Sequence, residues 1–267
     1  MLGLRPGALG DTLLAVPALR ALRRCRGEVT LAAHAGAARL LQELGEVQRG
    51  LAFDDPWIAA VLRGGPADDP VVAWTSAPVP GAVVHAPARP PDRVHCAEYL
   101  LRTLAPLRCD LTLDASPLGV RPLSCDEILV HPGSGSASKN WPAERFAAVI
   151  RALDQPVRLV VGEADACAAA DVERALGQRS RRLTCNLSDL AARLAGCAAY
   201  LGNDSGVSHL AGLCGTRTVV MFGPSDPGLW RPVGPRVTTF EFQTPIAEVA
   251  RALVDQCVAV GLACGFG

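Results

Sequence analysis

The sequence has almost no lysine. Of its 26 basic side chains, 25 are arginine, and Lys139 stands alone. Nor does it have net charge, since 26 acidic residues balance the basic ones. A nucleic-acid partner calls for a basic excess, so the balance argues against one. It hides no asymmetry either: 13 basic and 12 acidic residues precede residue 122, and 13 and 14 follow. The ten cysteines include no CxxC pair and no Cys/His cluster at zinc spacing. They read as small reduced core residues rather than a disulfide framework or a metal knuckle. No apolar run approaches the roughly 18 residues that span a bilayer. A secretory signal is not indicated, because Asp11 interrupts the first apolar stretch and Arg20, Arg23, Arg24 and Arg26 follow it. These absences predict a soluble, cytoplasmic protein.

What is present suits two domains. Hydrophobic residues make up 49% of the 267, enough for packed cores and too many for disorder. Residues 1–5 read as a strand, 6–10 as a glycine turn, and 11–24 as a helix with Leu13, Leu14, Val16, Leu19 and Leu22 at helical spacing. Strands are expected at 29–33, 71–74 and 82–85, with helices at 37–44 and 94–105. The proline-bearing stretch 116–125 reads as a linker, which divides the chain into domains 1–122 and 123–267. In the second domain strands are expected at 127–131, 157–161, 198–201 and 218–222. Helices are expected at 142–153, 164–176, 188–195 (capped by Ser188), 205–214 and 245–260. Alternating strands and helices predict parallel sheets covered on both faces, two Rossmann-like α/β layers.

In such sheets ligands bind at the carboxyl ends of strands, and three loops there carry polar groups. Gly7-Ala-Leu-Gly-Asp11 opens the first helix. Its aspartate is either an ordinary cap or a general base. The dinucleotide pattern G-x-G-x-x-G is absent. His131-Pro-Gly-Ser134-Gly135-Ser136-Ala-Ser-Lys139 is a small-residue loop with one cation. It fails both the Walker pattern and G-x-S-x-G, yet its N–H groups, hydroxyls and ammonium suit an anion. Gly202-Asn-Asp204-Ser205-Gly206-Val-Ser-His209 lies between a strand and a helix. Ser205 and Gly206 offer amides at the positive helix end, and His209 shares a face with Ser205. Glu163 and Asp165 follow another strand, where carboxylates can hold ribose hydroxyls or merely start a helix. Phe222-Gly-Pro-Ser-Asp-Pro ends a further strand.

Taken together, Gly7 to Asp11 with the following Leu-Leu-Ala-Val-Pro-Ala-Leu, His131 to Ser136 with Lys139 and Trp141-Pro, and Asn203 to His209 continuing to Phe222-Gly-Pro-Ser-Asp-Pro resemble glycosyltransferase family 9, the bacterial heptosyltransferases. The resemblance covers residues 1–24 and most of 128–232 and is absent between about 50 and 120. It implies a GT-B fold, two Rossmann-like domains facing across a cleft, with an abbreviated N-terminal domain. The activity it implies is inverting, metal-independent transfer of a heptose or related sugar from a nucleotide-diphosphate donor, in the first instance an ADP-sugar, to a saccharide or lipid-linked acceptor. It implies no cofactor. Carried over by residue, Asp11 is the base and Lys139 neutralises the donor phosphates. Ser134, Gly135 and Ser136 line the donor loop, Asp204 bonds the donor sugar, and Ser205 and Gly206 present amides to the diphosphate. His209 faces the same pocket, and Glu163 or Asp165 holds the ribose. The protein is expected to be a monomer touching the inner membrane face peripherally. Two other readings remain: a non-catalytic nucleotide-sugar-binding module with a degenerate acceptor domain, and a nucleotide-cleaving hydrolase.

Overall fold

A computed structural model describes residues 1–254. The first domain runs β1 (Leu2–Leu4), α1 (Leu9–Leu13), α2 (Val16–Arg26), β2 (Thr30–Ala33), α3 (Ala35–Glu43), β3 (Arg49–Ala52), α4 (Pro56–Leu62), β4 (Val71–Trp74), β5 (Val84–Ala86) and α5 (Cys96–Arg102). The second runs β6 (Ile128–His131), α6 (Ala143–Arg151), β7 (Val157–Val160), α7 (Ala166–Leu176), β8 (Arg181–Leu183), α8 (Leu187–Gly196), β9 (Ala199–Asn203), α9 (Gly206–Leu213), β10 (Thr218–Phe222), α10 (Pro227–Trp230), β11 (Val237–Glu241) and α11 (Ile246–Val254). The helix expected to 260 is thus seen to Val254, and its remainder lies outside the described residues.

Both sheets are parallel. The first has the order β3-β2-β1-β4-β5 and the second β11-β10-β9-β6-β7-β8. Strand order reverses beside β1 in one sheet and between β6 and β9 in the other. Crevices open at the carboxyl ends of strands at such points, so the loops after β1, β6 and β9 hold the positions a ligand would use.

The helix expected over 11–24 is two helices. Pro17 has no N–H to continue α1, and sits instead in the first turn of α2, where that donor is not needed. The cap of α8 is Asn186, whose side chain accepts from Asp189 N at 2.8 Å. Ser188, the expected cap, instead bonds Glu43 of the first domain at 2.6 Å. Strands β3, β8 and β11 were not expected. All three lie at sheet edges, where charged side chains protect unpaired backbone, and β8 reads Arg-Arg-Leu.

The core does not stop at the domain boundary. One apolar cluster joins Leu19, Leu22 and Leu100 of the first domain to Leu190, Leu210 and Leu213 of the second. Separate clusters fill the far faces, around Leu4 and Ile58 in one domain and around Trp141 and Phe146 in the other. The domains also touch at α1 and α9. A Cβ added to Gly10 would lie 2.8 Å from His209 Cδ2, and one added to Gly206 would lie 2.8 Å from Leu9 Cβ. Only glycine lets these two helices approach so closely. A second bridge is polar: Arg93 pairs with Asp226 at 2.8 Å, His95 Nε2 lies 2.9 Å from Arg231 O, and the Arg89 guanidinium sits 6.0 Å over the Trp230 ring.

Candidate active site

On the first-domain side, the chain leaves β1 through Arg5 and turns at Gly7, whose φ of +129° excludes most side chains. Asp11 then stands in the first turn of α1. Its Oδ2 accepts the Ala8 N–H at 2.9 Å, and its Oδ1 lies 3.4 Å from Arg5 Nη2. The aspartate is therefore a cap, and with its side chain 32% exposed it is also open to a ligand. Arg5, which the sequence reading passed over, is fully buried beneath it.

On the second-domain side, Lys139 ends a single 3-10 turn and donates to Asp204 Oδ2 at 2.7 Å. The lysine, the loop after β6 and the loop after β9 thus meet. Ser225 Oγ donates to the same carboxylate oxygen at 2.7 Å, drawing in the turn after β10. His209 Nε2 lies 3.9 Å from Asp204 Oδ1, and its Nδ1 has no hydrogen-bond partner among the described residues. Burial pushes the His209 imidazole down to about 4, against the opposing pull of Asp204. It is neutral at neutral pH, and Asp11, His95 and Lys139 all act on it electrostatically. Groups from both domains therefore surround one buried ring.

Ser205 caps α9, its hydroxyl accepting the Ser208 N–H at 3.4 Å. Gly206 opens the helix, and the first-turn amides have no intrahelical acceptor. The Ser205 hydroxyl is also 3.3 Å from His131 Nδ1, and His131 Nε2 is 2.9 Å from Asp165 Oδ2. The resulting chain, Asp165–His131–Ser205, ties the start of α7 to the start of α9 through the last residue of β6. Bonding to His131 holds the Asp165 carboxyl below the usual range despite its burial.

Asp165 has partners inside the protein. Its Oδ2 takes both His131 and the Gly162 N–H, and its Oδ1 packs against Gly133. It braces the loops and is half-buried, whereas Glu163 is exposed at the same turn. Ser134 is likewise spent within its own loop, its Oγ lying 2.6 Å from Ser136 O and 2.7 Å from Asn140 Oδ1. Gly135 and Ser136 are exposed. Asn203 stitches the loops after β6 and β9, accepting Trp141 N–H at 2.8 Å and donating to Pro132 O at 2.8 Å.

Among the described residues, no group of three or more His, Cys, Asp or Glu is placed to hold a metal ion. Open hollows of about 570 Å³ beside Asp68 and Pro80 and about 500 Å³ beside Phe240 and Arg251 lie away from these loops. The convergent polar groups, not the volume, mark the site.

Two parallel α/β domains facing each other with polar loops at both strand-order reversals define a GT-B fold. The family model for glycosyltransferase family 9 (heptosyltransferase) matches residues 110–258, and the chain belongs to that family. It is a glycosyltransferase. Solved structures agree in fold. Heptosyltransferase WaaC of E. coli with ADP aligns with a TM-score of 0.72 at 17% identity over 94% of this chain and 97% of that one. E. coli ADP-heptose lps heptosyltransferase II gives 0.73 at 18% over 94% and 96%. A family 9 glycosyl transferase from Veillonella parvula gives 0.72 at 19% over 90% and 85%. No curated protein sequence matches the chain.

Proposed function

We propose that this enzyme moves a heptose or closely related sugar from an ADP-sugar to a saccharide acceptor, with inversion and without a metal. The observation that carries the reading is the Lys139–Asp204 pair beside His209, set against α1 and its Asp11. The ADP preference is supported by the two E. coli structures, one holding ADP and the other a protein described as using ADP-heptose.

The chemistry follows from charge. Breaking the bond between the anomeric carbon and the diphosphate leaves negative charge on a phosphate oxygen. Lys139 moves from Asp204 to that oxygen, and the first-turn amides of α9 add their field. Asp204 then turns an oxygen to the sugar hydroxyls. His209, neutral, adds a hydrogen bond without contesting the lysine's charge. Asp11 takes the proton of the acceptor hydroxyl as that oxygen bonds the anomeric carbon from the face opposite the diphosphate. The proton ends on Asp11, the electron pair on the departing ADP, and one displacement inverts the centre.

The test is ADP release from ADP-heptose with heptose-free lipopolysaccharide as acceptor. Asp11→Asn is expected to lower the rate at least about 100-fold while ADP affinity stays within two-fold. Wild-type turnover in this variant would remove the base. ADP binding with no turnover in the wild type would favour a non-catalytic sugar-nucleotide module instead.

A further inference from the structure

We propose that Arg5 is a positioning residue for Asp11, a buried guanidinium that fixes the carboxylate in its working orientation; this rests on the reading of Asp11 as the base. Arg5 follows β1 directly and its side chain is 1% exposed. Its Nε donates to Asp11 O at 3.2 Å, and its Nη2 reaches Asp11 Oδ1 at 3.4 Å. One guanidinium therefore holds both the main chain and the side chain of a single residue. The Ala8 N–H holds the other carboxylate oxygen at 2.9 Å. With an oxygen pinned from each side, the carboxylate plane has one orientation rather than a set of rotamers.

The charge argument is independent of that geometry. A guanidinium does not deprotonate in a protein, so burying one requires an anion beside it. Among the described residues, Asp11 supplies the one carboxylate within ion-pair distance of Arg5. The other group at hand, Cys96 Sγ at 4.0 Å, is a thiol that burial pushes up to about 11, and it stays neutral. The two partners are unequally exposed. Without Arg5, the 32% exposed carboxylate of Asp11 is solvated by water. Without the Asp11 charge, a fully buried cation loses its counter-ion, the costly way to break a pair.

The full chain is compared as Arg5→Met, Arg5→Lys, Asp11→Asn and the Arg5→Met/Asp11→Asn double variant. Melting temperature, ADP affinity and the kcat and KM of transfer are measured for each. Arg5→Met should keep ADP affinity and donor KM within two-fold and lose about 100-fold in kcat, the scale of an ångström's misplacement. Arg5→Lys keeps the charge but offers no fork, so it should fold wherever Arg5→Met does not, and should still lose kcat at unchanged KM. A folded Arg5 variant with wild-type kcat would reduce Arg5 to core filling and overturn the proposal. Asp11→Asn should melt lower than wild type, and the double variant should regain most of that loss. No recovery would mean that the buried cation has another partner, which also overturns it. The Asp11→Asn rate reads the base alone: wild-type turnover there sinks the base whatever Arg5 does.

Discussion

At the scale of single residues the site pairs opposite strategies. Lys139 is 37% exposed and paired with Asp204. His209 is buried to 4% and holds its place. Because burial depresses its titration from 6.5 to about 4, the folded state binds fewer protons than the unfolded state in that interval. Stability contributed by the neutral ring is complete above about 6.5 and drains away as pH falls toward 4. His209→Gln carries no such proton, so its melting temperature should fall less than that of the wild type between pH 7 and pH 5. Parallel slopes would show that the imidazole is solvated in solution. The candidate site residues were legible in the sequence because they sit in glycine- and serine-rich loops after strands, where little else explains a charge. Arg5 was not, and neither were the partnerships of His131 and Ser225, although the segments that carry those two were singled out. Each lies inside or beside a strand, and nothing local marks the partner that makes it matter: Asp165, for His131, is 34 residues away.

At the scale of elements, the loops after β6 and β9 are held by their own side chains rather than by regular structure. His131 is the keystone, with Asp165 on one ring nitrogen and Ser205 on the other. Asp165 as a carboxylate needs a donor, so Nε2 carries the hydrogen and Nδ1 accepts from the Ser205 hydroxyl. His131→Gln can reproduce the Nε2 donor and His131→Asn the Nδ1 acceptor. If the brace positions the start of α9 for the diphosphate, His131→Asn should raise the donor Kd less than His131→Gln does, with both above wild type by calorimetry. Unchanged Kd in both would leave the histidine no part in donor binding. Helices were legible where a cap, a leading proline or a closing glycine announced them, as with α6, which Pro142 precedes, and α9. Edge strands such as β8 lack the apolar alternation that identifies an interior strand, and α10 is a single turn begun by the Asp226 side chain.

At the scale of the molecule, the two domains share one apolar cluster near α2, α8 and α9 and the polar bridge of Arg93, His95 and Arg89. Its arginines are exposed, Arg93 to 90%. An ion pair of that kind adds little to folding and weakens with salt. Arg93→Ala combined with Arg89→Ala should therefore leave the melting temperature nearly unchanged and increase the radius of gyration measured by X-ray scattering. An unchanged radius would mean that the apolar contact alone sets the cleft. That the chain has two domains was readable from its alternating elements. How they close was not, because closure depends on pairs such as Arg93 with Asp226, 133 residues apart, and on two glycines.

Those glycines have a wider meaning. Gly10 and Gly206 act as a spacer of zero thickness between the domains, so the narrowest width of the cleft is written into two missing methyl groups. Any side chain at either position becomes a shim. Alanine and then valine at position 206 would set the jaws at successively larger gaps, and the same steps would read out how near Asp11 must come to a sugar bound on the far side before transfer begins.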